Sequence, residues 1–382
     1  MDFRLSTEQI DIQKAAREFA KGEFDPDAAL EYDQNQQFPS TIWKHACKLG
    51  FIGVHFPEVY GGQECGLLEY VLIIEAFCRQ DSGIGIALAI SGFGSEMILR
   101  HGNEIQKLRI LPFIAQGRGL VTIAFLEKDC SGAPLTTTAK VSTNGYIING
   151  GKSFVTLGSL AAYMIVVCQT SSVDPNAQSV ILLEKEMDGI GVSSMGEKMG
   201  MRMVPMDKVS FTNVSVPKEN TIGQKDKGYF QLEDFFNEMR IQTGAMGIGI
   251  AQGGLDRALE YSKKRRQFGK AIVSFSAIRN KLADIYAEIE MARLITYKAA
   301  WSFDKGRNDN QSILMAKMIS SKTAYRATYE AVQIHGGYGY MTESHIEHFY
   351  RDAKALDLFL EPGQIQRNML ADQITGKINF IE

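Results

Sequence analysis

One carboxylate near the end of the chain has a setting in which an acid or base could work. Glu361 lies in RDAKALDLFLEPGQIQRN, residues 351–368, between a hydrophobic run and Pro362. A carboxylate turned into an apolar pocket can take a proton from a substrate. The same glutamate can instead be the polar start of the last helix, because proline suits a first helical turn and an acid there complements the helix dipole. The local sequence leaves both interpretations open.

Two further stretches have the composition of a phosphate-binding surface. KKRRQFGKAI, residues 263–272, places a dense cationic turn beside an aromatic residue, which suits a phosphate or pyrophosphate. Its other interpretation is the basic end of a helix that offsets its dipole. QIHGGYGYMTE, residues 333–343, breaks a second helix with more glycine than a plain stop needs, so bare backbone can approach a ligand there. Together the two stretches favour a phosphate-bearing ligand.

Composition and charge exclude several classes of protein. The chain has 382 residues, 45% of them hydrophobic and 22% charged, which is typical of a globular protein of two or three subdomains. A net charge of −3 gives no general attraction to nucleic acid or to an anionic membrane. We expect no membrane span, because no apolar run reaches about 18 residues. Five scattered cysteines without a CxxC pair, and an N-terminus without a signal pattern, favour reduced thiols and a cytoplasmic location.

The elements that must position these residues fall into three parts. Residues 1–119 have helical periodicity, starting from a capping box formed by Ser6 and Gln9. Residues 120–228 change to β-branched and aromatic runs, with a hairpin signal at Asn144-Gly145. Residues 229–382 return to long helices near 230–263, 275–305 and 311–335, and a last one from about Gly363. The sequence therefore predicts an α+β protein with an N-terminal helical domain, a middle β-domain and a C-terminal helical bundle.

Three other motifs do not survive inspection. GGKSF resembles the end of a phosphate-binding P-loop, but Tyr146 stands where that loop needs glycine. GIGIAQGG has Gln252 at the third glycine of the dinucleotide fingerprint, and no strand precedes it. His345 and His348 are three residues apart, but no third ligand has suitable spacing, so we predict no metal.

Read together, the motifs resemble those of the acyl-CoA dehydrogenase family. The likeness covers nearly the whole chain, and its specific parts are RRQFG and QIHGGYGY, supported by PEVYGG, GKSFVT, RDAK and QIQR. The resemblance implies a helical domain, a β-domain and a four-helix bundle, assembled as a homotetramer with one FAD per subunit. It also implies oxidation of an acyl-CoA thioester to an enoyl-CoA, with electrons passing to an electron-transfer flavoprotein.

The resemblance assigns cofactor positions residue by residue. Phe154 stands where the family usually has tryptophan over the flavin ring, and Thr156 corresponds to the residue beside it. The remaining positions contact FAD bound by a neighbouring subunit or lie near its adenine end: Arg266, Phe268, Gln333, Gly336, Gly337 and Gln364.

The substrate positions match less completely. Arg240 corresponds to a residue that contacts CoA, with Asn237 replacing a commoner aspartate, and Ser91 borders the acyl pocket by its position. The family's TEPxAGSD loop is LEKDCSGAP here, residues 126–134. Leu126 removes a hydroxyl expected at the flavin, and Ser131 lies one residue before the usual serine position, which is Gly132.

The family's base is also displaced. An ungapped comparison of Arg351–Arg367 with the family motif places Leu360 at the catalytic glutamate, and Glu361 one residue later. The family's alternative base position falls on Met239, and the adjacent Glu238 should point about 100° away around its helix. We favour Glu361 as the base, because Pro362 biases it toward an extended conformation that can turn its side chain inward.

These departures keep alternative functions open. The leading hypothesis is an FAD-dependent acyl-CoA dehydrogenase whose substrate is branched or cyclic. The same site can run as an enoyl-CoA reductase, or, with a shifted base, perform a vinylogous elimination on a cyclic acyl-CoA. A non-catalytic scaffold of the same fold is the alternative from another class.

Overall fold

The computed structural model describes residues 4–128, 135–171, 173–307 and 309–376. Its first part is helical and begins as expected, since Ser6 and Gln9 form the predicted reciprocal capping box. The helices of this part are α1 (Thr7–Glu23), α2 (Pro26–Gln34), α3 (Ser40–Lys48), α4 (Leu67–Gln80), α5 (Ser82–Ala89), α6 (Ser95–His101) and α7 (Glu104–Ala115). Helix α4 is buried along nearly its whole length, so it forms the centre of this layer.

A mixed β-sheet follows the helices. Its strands are β1 (Leu120–Ala124), β2 (Thr138–Ser142), β3 (Gly145–Thr156), β4 (Ala161–Gln169), β5 (Gln178–Glu184), β6 (Ile190–Ser194), β7 (Met206–Pro217) and β8 (Thr221–Ile222). They lie in the order β6-β7-β3-β2-β4-β5-β8, and β1 pairs in parallel with β4. The predicted hairpin joins β2 to β3, with Ser142 opposite Gly145. One face of the sheet holds a separate apolar core.

The C-terminal part is a bundle of long helices with a small hairpin. Its elements are α8 (Gly228–Lys264), β9 (Arg266–Gln267), β10 (Lys270–Ala271), α9 (Ser276–Asp304), α10 (Asn310–His335), α11 (Ile346–Leu358) and α12 (Gly363–Thr375). The predicted helix-β-helix order and the fold class are thereby confirmed.

Helix α8 packs against both α4 and α10, and its glycines allow these close contacts. An added Cβ at Gly247 would lie 2.9 Å from the backbone of Ser320 in α10. At Gly249 the Cβ would lie 2.5 Å from the carbonyl oxygen of Glu75 in α4. Glycine therefore lets α8 contact helices on two sides at backbone distance, which offsets the cost of about 1 kcal/mol for glycine in a helix. No helix in the described ranges is both long and apolar enough to cross a membrane.

Candidate active site

The segment between α11 and α12 presents the predicted base from an unusual backbone. Leu360 has a φ of 65° and is buried, and the amide of Glu361 donates to the carbonyl oxygen of Phe359 at 2.8 Å. Helix α12 begins at Gly363, so Pro362 is its N-cap residue and not its first helical residue. Glu361 therefore lies outside the helix.

The Glu361 carboxylate is held by an arginine of α8. Arg240 donates from Nε to Oε1 at 2.6 Å and from Nη2 to Oε2 at 3.1 Å, and its Nη1 donates to Oδ1 of Asn237 at 2.7 Å. The Gln366 amide adds a 3.3 Å hydrogen bond to Oε1. The side chains of Arg240 and Glu361 are only 3% and 12% exposed. The structure therefore brings together the predicted base and two predicted substrate residues, although they come from distant parts of the sequence.

A buried lysine fixes the backbone of the same segment. Lys317 of α10 donates from Nζ to the carbonyl oxygens of Glu361 at 2.8 Å and Asp357 at 3.2 Å. Burial lowers the pKa of Lys317 to about 8, partly opposed by the charges of Glu361 and Asp357. Two carbonyls at the end of α11 thus gain a cationic donor in place of water.

A line of aromatic rings continues from this segment. The Phe359 ring lies 5.5 Å from that of Phe93, which lies 5.5 Å from that of Phe235 on α8. Phe235 is next to the ring of Phe236, at 5.8 Å, and Arg240 lies 5.8 Å from the Phe236 ring. These contacts make an apolar wall beside the Arg240–Glu361 pair.

The other predicted substrate and base positions that the structure describes are buried. Ser91 is buried and donates its hydroxyl to the carbonyl oxygen of Leu88 at 2.8 Å. Met239 is buried, and Glu238 faces Arg100, whose Nε lies 2.6 Å from its carboxylate. Glu238 therefore points away from Arg240, as the helix spacing predicts. Ser131 and Gly132 lie outside the described residues.

The predicted flavin positions of the β-domain lie at the end of β3. Thr156 is buried, and its carbonyl oxygen accepts a hydrogen bond from the hydroxyl of Thr122. Phe154 has a φ of 56° at an irregularity in the β3–β7 register, and its ring is half exposed. Buried Lys152 donates to Glu127 at 2.8 Å, and Glu127 accepts three hydrogen bonds from Thr136 and Thr137. This cluster joins Glu127, which follows β1, to Thr136 and Thr137, which precede β2, and to Lys152 of β3.

Most of the remaining cofactor positions lie at the C-terminal ends of α8 and α10, and Gln364 lies on α12. Arg266 and Phe268 lie in the β9–β10 hairpin, and Phe268 is 90% exposed. Gln333, Gly336 and Gly337 follow one another at the end of α10, while Gln364 is exposed on α12 and donates to Asn368.

A cavity of about 550 Å³ lies between the C-terminal ends of α8 and α10 and the segments that follow them. Gly336 and Gly337 line it, and an added Cβ at either would meet no atom within 4 Å. Arg265 and Tyr261 also line it, with the Tyr261 ring stacked on His335 at 4.4 Å. Bare backbone, a guanidinium and an aromatic face are the groups that a phosphate-bearing nucleotide needs, so the residues present fit part of an FAD molecule.

Comparison with known proteins decides the family. Three family models match along the chain: acyl-CoA dehydrogenase N-terminal domain at residues 6–118, middle domain at 130–214 and C-terminal domain at 226–375. The chain belongs to the acyl-CoA dehydrogenase family. Membership makes it an FAD-dependent oxidoreductase that acts on a CH–CH bond of an acyl-CoA thioester.

Individual relatives cover the whole chain. The probable acyl-CoA dehydrogenase YngJ of Bacillus subtilis (strain 168) is 35% identical, over 98% of this chain and 100% of its own. The caffeyl-CoA reductase-Etf complex subunit CarC of Acetobacterium woodii is 30% identical, over 96% and 98%. The structure of butyryl-CoA dehydrogenase from Megasphaera elsdenii matches with a TM-score of 0.93 at 32% identity, over 98% and 100%.

Sequence reasoning missed several residues of this acyl-CoA dehydrogenase. Lys317 stands in a helix whose local pattern predicts no function for it, and only the folded chain brings it to the carbonyl oxygen of Glu361. Glu96 and Arg100 on α6 were also missed, although two charges in a short stretch beside apolar residues are a usable signal. Both contact α8 on a face other than that of Arg240.

Proposed function

We propose that this acyl-CoA dehydrogenase removes the α-proton of its substrate with Glu361. The observation that carries the proposal is the bidentate contact between Glu361 and Arg240, which holds the carboxylate inside the protein beside Asn237. A base turned to bulk water would be solvated and would make no such contact. Leu360, which stands at the family's usual base position, is buried and has no polar group to offer.

Proton removal requires the carboxylate to leave Arg240 at least in part. Arg240 has a second role open to it, because the family likeness assigns it to CoA, which carries amide and phosphate oxygens that a guanidinium can bind. We infer that the substrate takes over Arg240 and thereby frees Glu361 next to the α-carbon. Lys317 keeps the Glu361 backbone in place during this exchange, since its two hydrogen bonds go to carbonyl oxygens and not to the carboxylate.

The chain supplies orientation and proton transfer, and the aromatic wall excludes water. FAD, when bound, supplies the two-electron acceptor for the hydrogen that leaves the β-carbon. Phe154 and Thr156 would hold its ring end, and the cavity at Gly336 and Gly337, with Arg266 and Phe268 nearby, would hold its nucleotide end.

The test is anaerobic bleaching of the flavin by a panel of acyl-CoAs. Glu361→Gln should slow bleaching by about 10²- to 10⁴-fold, the usual contribution of a general base. Glu75→Gln is the matched control, since it removes a buried carboxylate that pairs with Arg293 and makes no contact with Glu361, and we expect less than a tenfold effect. Equal bleaching rates in wild type and Glu361→Gln would reject Glu361 as the base.

Assembly as a homotetramer is part of the proposal. Phe268 is 90% exposed beside exposed Arg266, and a large aromatic ring in that position is better explained by burial against another subunit. Light scattering of the FAD-loaded protein should give a mass of four chains. Phe268→Ser should lower FAD retention on dialysis, whereas a monomeric mass with full FAD retention would contradict the assignment.

Electron-transfer flavoprotein is the partner we propose, and reduction of an enoyl-CoA is the second candidate activity. One relative, CarC, is a subunit of a caffeyl-CoA reductase-Etf complex. Oxidation and reduction use the same residues, because the proton that Glu361 removes in one direction is the proton it returns in the other. Stopped-flow experiments distinguish the two activities. In one, the chemically reduced protein is mixed with enoyl-CoAs, and in the other the oxidised protein is mixed with acyl-CoAs. The faster reaction identifies the preferred direction.

A further inference from the structure

A second group of buried charges lies on another face of α8, toward α6. Glu96 of α6 accepts a hydrogen bond from the Gln242 amide at 3.0 Å, and Arg100, one turn further along α6, pairs with Glu238 at 2.6 Å. Glu96, Glu238 and Gln242 are each 3% exposed or less. Glu238 therefore has a guanidinium partner, while Glu96 has only an amide partner and feels the Arg100 charge from a distance.

This group has acceptor capacity that the described residues do not use. Oε2 of Glu96 is buried and has no hydrogen-bond partner among them. Both ring nitrogens of His55 are also buried without a partner there, and the His55 ring stacks on Tyr70 at 4.6 Å. Burial raises the pKa of the Tyr70 hydroxyl, and the nearby charges of Glu96 and Glu238 raise this pKa further. Buried polar atoms normally have hydrogen-bond partners. The Glu96 oxygen and the two His55 nitrogens therefore point to a polar partner that the described residues do not supply.

Burial sets the charge state of Glu96. Desolvation, with the nearby Glu238 charge second, raises the pKa of Glu96 to about 7, while hydrogen bonds from the Gln242 side chain and from the backbone of Glu96 and Gly94 work in the opposite direction. The arrangement is costly for stability alone, because an apolar residue of similar size would avoid the desolvation.

The position of Glu96 connects it to the Glu361 segment. Phe93, three residues before Glu96, contacts both Phe359 of that segment and Phe235 of α8. On a helix with 100° per residue, Phe235, Met239 and Gln242 lie within about 60° of each other, whereas Arg240 lies about 140° from Phe235. The wall that starts at Phe359 therefore continues along one stripe of α8 and ends at Gln242 and Glu96.

An acyl chain placed at Glu361 has two ends to accommodate. Its thioester end lies toward Arg240 and Asn237, and its far end is directed along the Phe93–Phe235 wall toward α6. A purely hydrocarbon tail would meet the free oxygen of Glu96 and leave it desolvated, which is unfavourable. A tail with a hydrogen-bond donor would satisfy that oxygen.

We infer that Glu96 is a specificity-determining residue, and that the preferred substrate carries a hydroxyl or amino group toward the far end of its acyl chain. The inference rests on the proposed function, since it places the acyl chain by means of Glu361. Hydroxyl and ammonium groups share the donor chemistry that Glu96 requires, and His55 offers a neutral nitrogen as a second acceptor.

The experiment compares acyl-CoAs matched in size. Wild-type protein is mixed anaerobically with 4-hydroxybutyryl-CoA, 4-aminobutyryl-CoA, 5-hydroxypentanoyl-CoA and the apolar pentanoyl- and hexanoyl-CoA, and bleaching is followed. We expect the donor-bearing thioesters to be favoured by about 10- to 100-fold in bleaching rate over dissociation constant, the worth of a hydrogen bond to a charged group. The hydroxyl and amino arms tell the two donors apart.

Two variants and a control complete the test. Glu96→Leu should remove or invert the preference by improving the apolar thioesters, and Glu96→Gln should weaken it while retaining the contact with Gln242. Glu75→Gln is the control, because Glu75 is an equally buried carboxylate that pairs with Arg293 and Tyr297 on another side of α4. It should leave the ratio unchanged.

The outcomes separate this inference from the proposed function. Calorimetric titration with non-reactive 3-thia analogues, one with and one without a terminal hydroxyl, measures the preference even if no thioester bleaches the flavin. Equal affinity for both analogues, unchanged in Glu96→Gln, overturns the inference about Glu96. Bleaching by any thioester that persists in Glu361→Gln overturns the proposed base and leaves the Glu96 preference to the titration.

Discussion

Helix α8 carries two carboxylate–arginine sites that differ in balance. On one face Arg240 binds a single carboxylate, and both oxygens of Glu361 have partners. On a face about 160° away, judged by helix spacing, Arg100 serves Glu238 while Glu96 lies close by with a free oxygen. In the first site, the contact between Arg240 and Glu361 must break before the carboxylate can act. In the second site, one oxygen of Glu96 has no partner, so a ligand can bind it without breaking a contact.

The difference shows how one helix can separate two tasks. The Arg240–Glu361 pair holds the carboxylate in place until a substrate competes for Arg240. The contacts between Arg240 and the substrate then replace the contacts that Arg240 made with Glu361. The unpartnered oxygen of Glu96 lowers the stability of the folded protein as long as no ligand binds there. We therefore expect a ligand group to bind this oxygen.

Removing the arginine of the unbalanced site should have the largest effect on stability. Arg100→Met leaves Glu238 and Glu96 without a cation, and breaking a buried pair costs about 3 to 5 kcal/mol. We expect a loss of about 3 kcal/mol in the free energy of unfolding, measured by urea denaturation at pH 8, because Arg100 itself is partly exposed. Arg240→Met should cost less, since Glu361 can turn to water. The reverse order would contradict the contrast between the sites.

The charge state of Glu96 gives a dependence on pH. Its folded-state pKa is raised to about 7, so the unfolded chain releases this proton at lower pH than the folded chain does. The contribution of Glu96 to stability is therefore complete below about pH 4.5 and is lost as the pH rises through about 7. Glu96→Gln should flatten the stability profile between these values and be more stable than wild type at pH 8, by about 1 to 3 kcal/mol. Parallel profiles for the two proteins would show that Glu96 is ionised throughout.

Much of the architecture was accessible from sequence, for physical reasons that are local. The Ser6–Gln9 cap, the Asn144-Gly145 hairpin and the start of α12 near Gly363 depend on neighbouring residues, and all three are present. The small residues of α8 let it pack closely, since an added Cβ at Gly247 would meet the backbone of Ser320 in α10.

The site was less accessible, because its contacts span large separations in sequence. Glu361 meets Arg240 across 121 residues, and Glu96 meets Gln242 across 146. No periodicity encodes such pairs. The family likeness brought Arg240 and Glu361 under consideration, but it assigned Arg240 to CoA and said nothing of its contact with the glutamate. Neither likeness nor pattern indicated Lys317.

Loosening the backbone of the closed site should have a moderate effect. Lys317→Met removes donors from two carbonyl oxygens, with a cost of about 1 to 3 kcal/mol for leaving buried acceptors unsatisfied. It should also slow flavin bleaching with little change in acyl-CoA affinity, because Lys317 positions Glu361 and does not contact the substrate. Lys317→Gln, which keeps an N–H donor, should retain part of the bleaching rate that Lys317→Met loses. A change in affinity alone would argue against a positioning role.

The smallest effect is expected at the exposed end of the bundle. Phe268→Ser should leave the unfolding free energy of the separated chain within about 0.5 kcal/mol of wild type, as for most surface substitutions. Its effect should appear in FAD retention and in the mass of the assembly. A large loss of stability in dilute, dissociated protein would mean that Phe268 supports its own chain.

The most direct measurement of the central claim is exchange of the substrate's α-hydrogen with solvent. A 3-thiaacyl-CoA cannot lose a hydrogen from its third position, so in D₂O any deuterium that enters its second carbon reports the base alone. We predict exchange with wild-type protein and a rate lower by about 10²-fold or more with Glu361→Gln, with Glu75→Gln close to wild type. Undiminished exchange in Glu361→Gln would show that another group removes the proton.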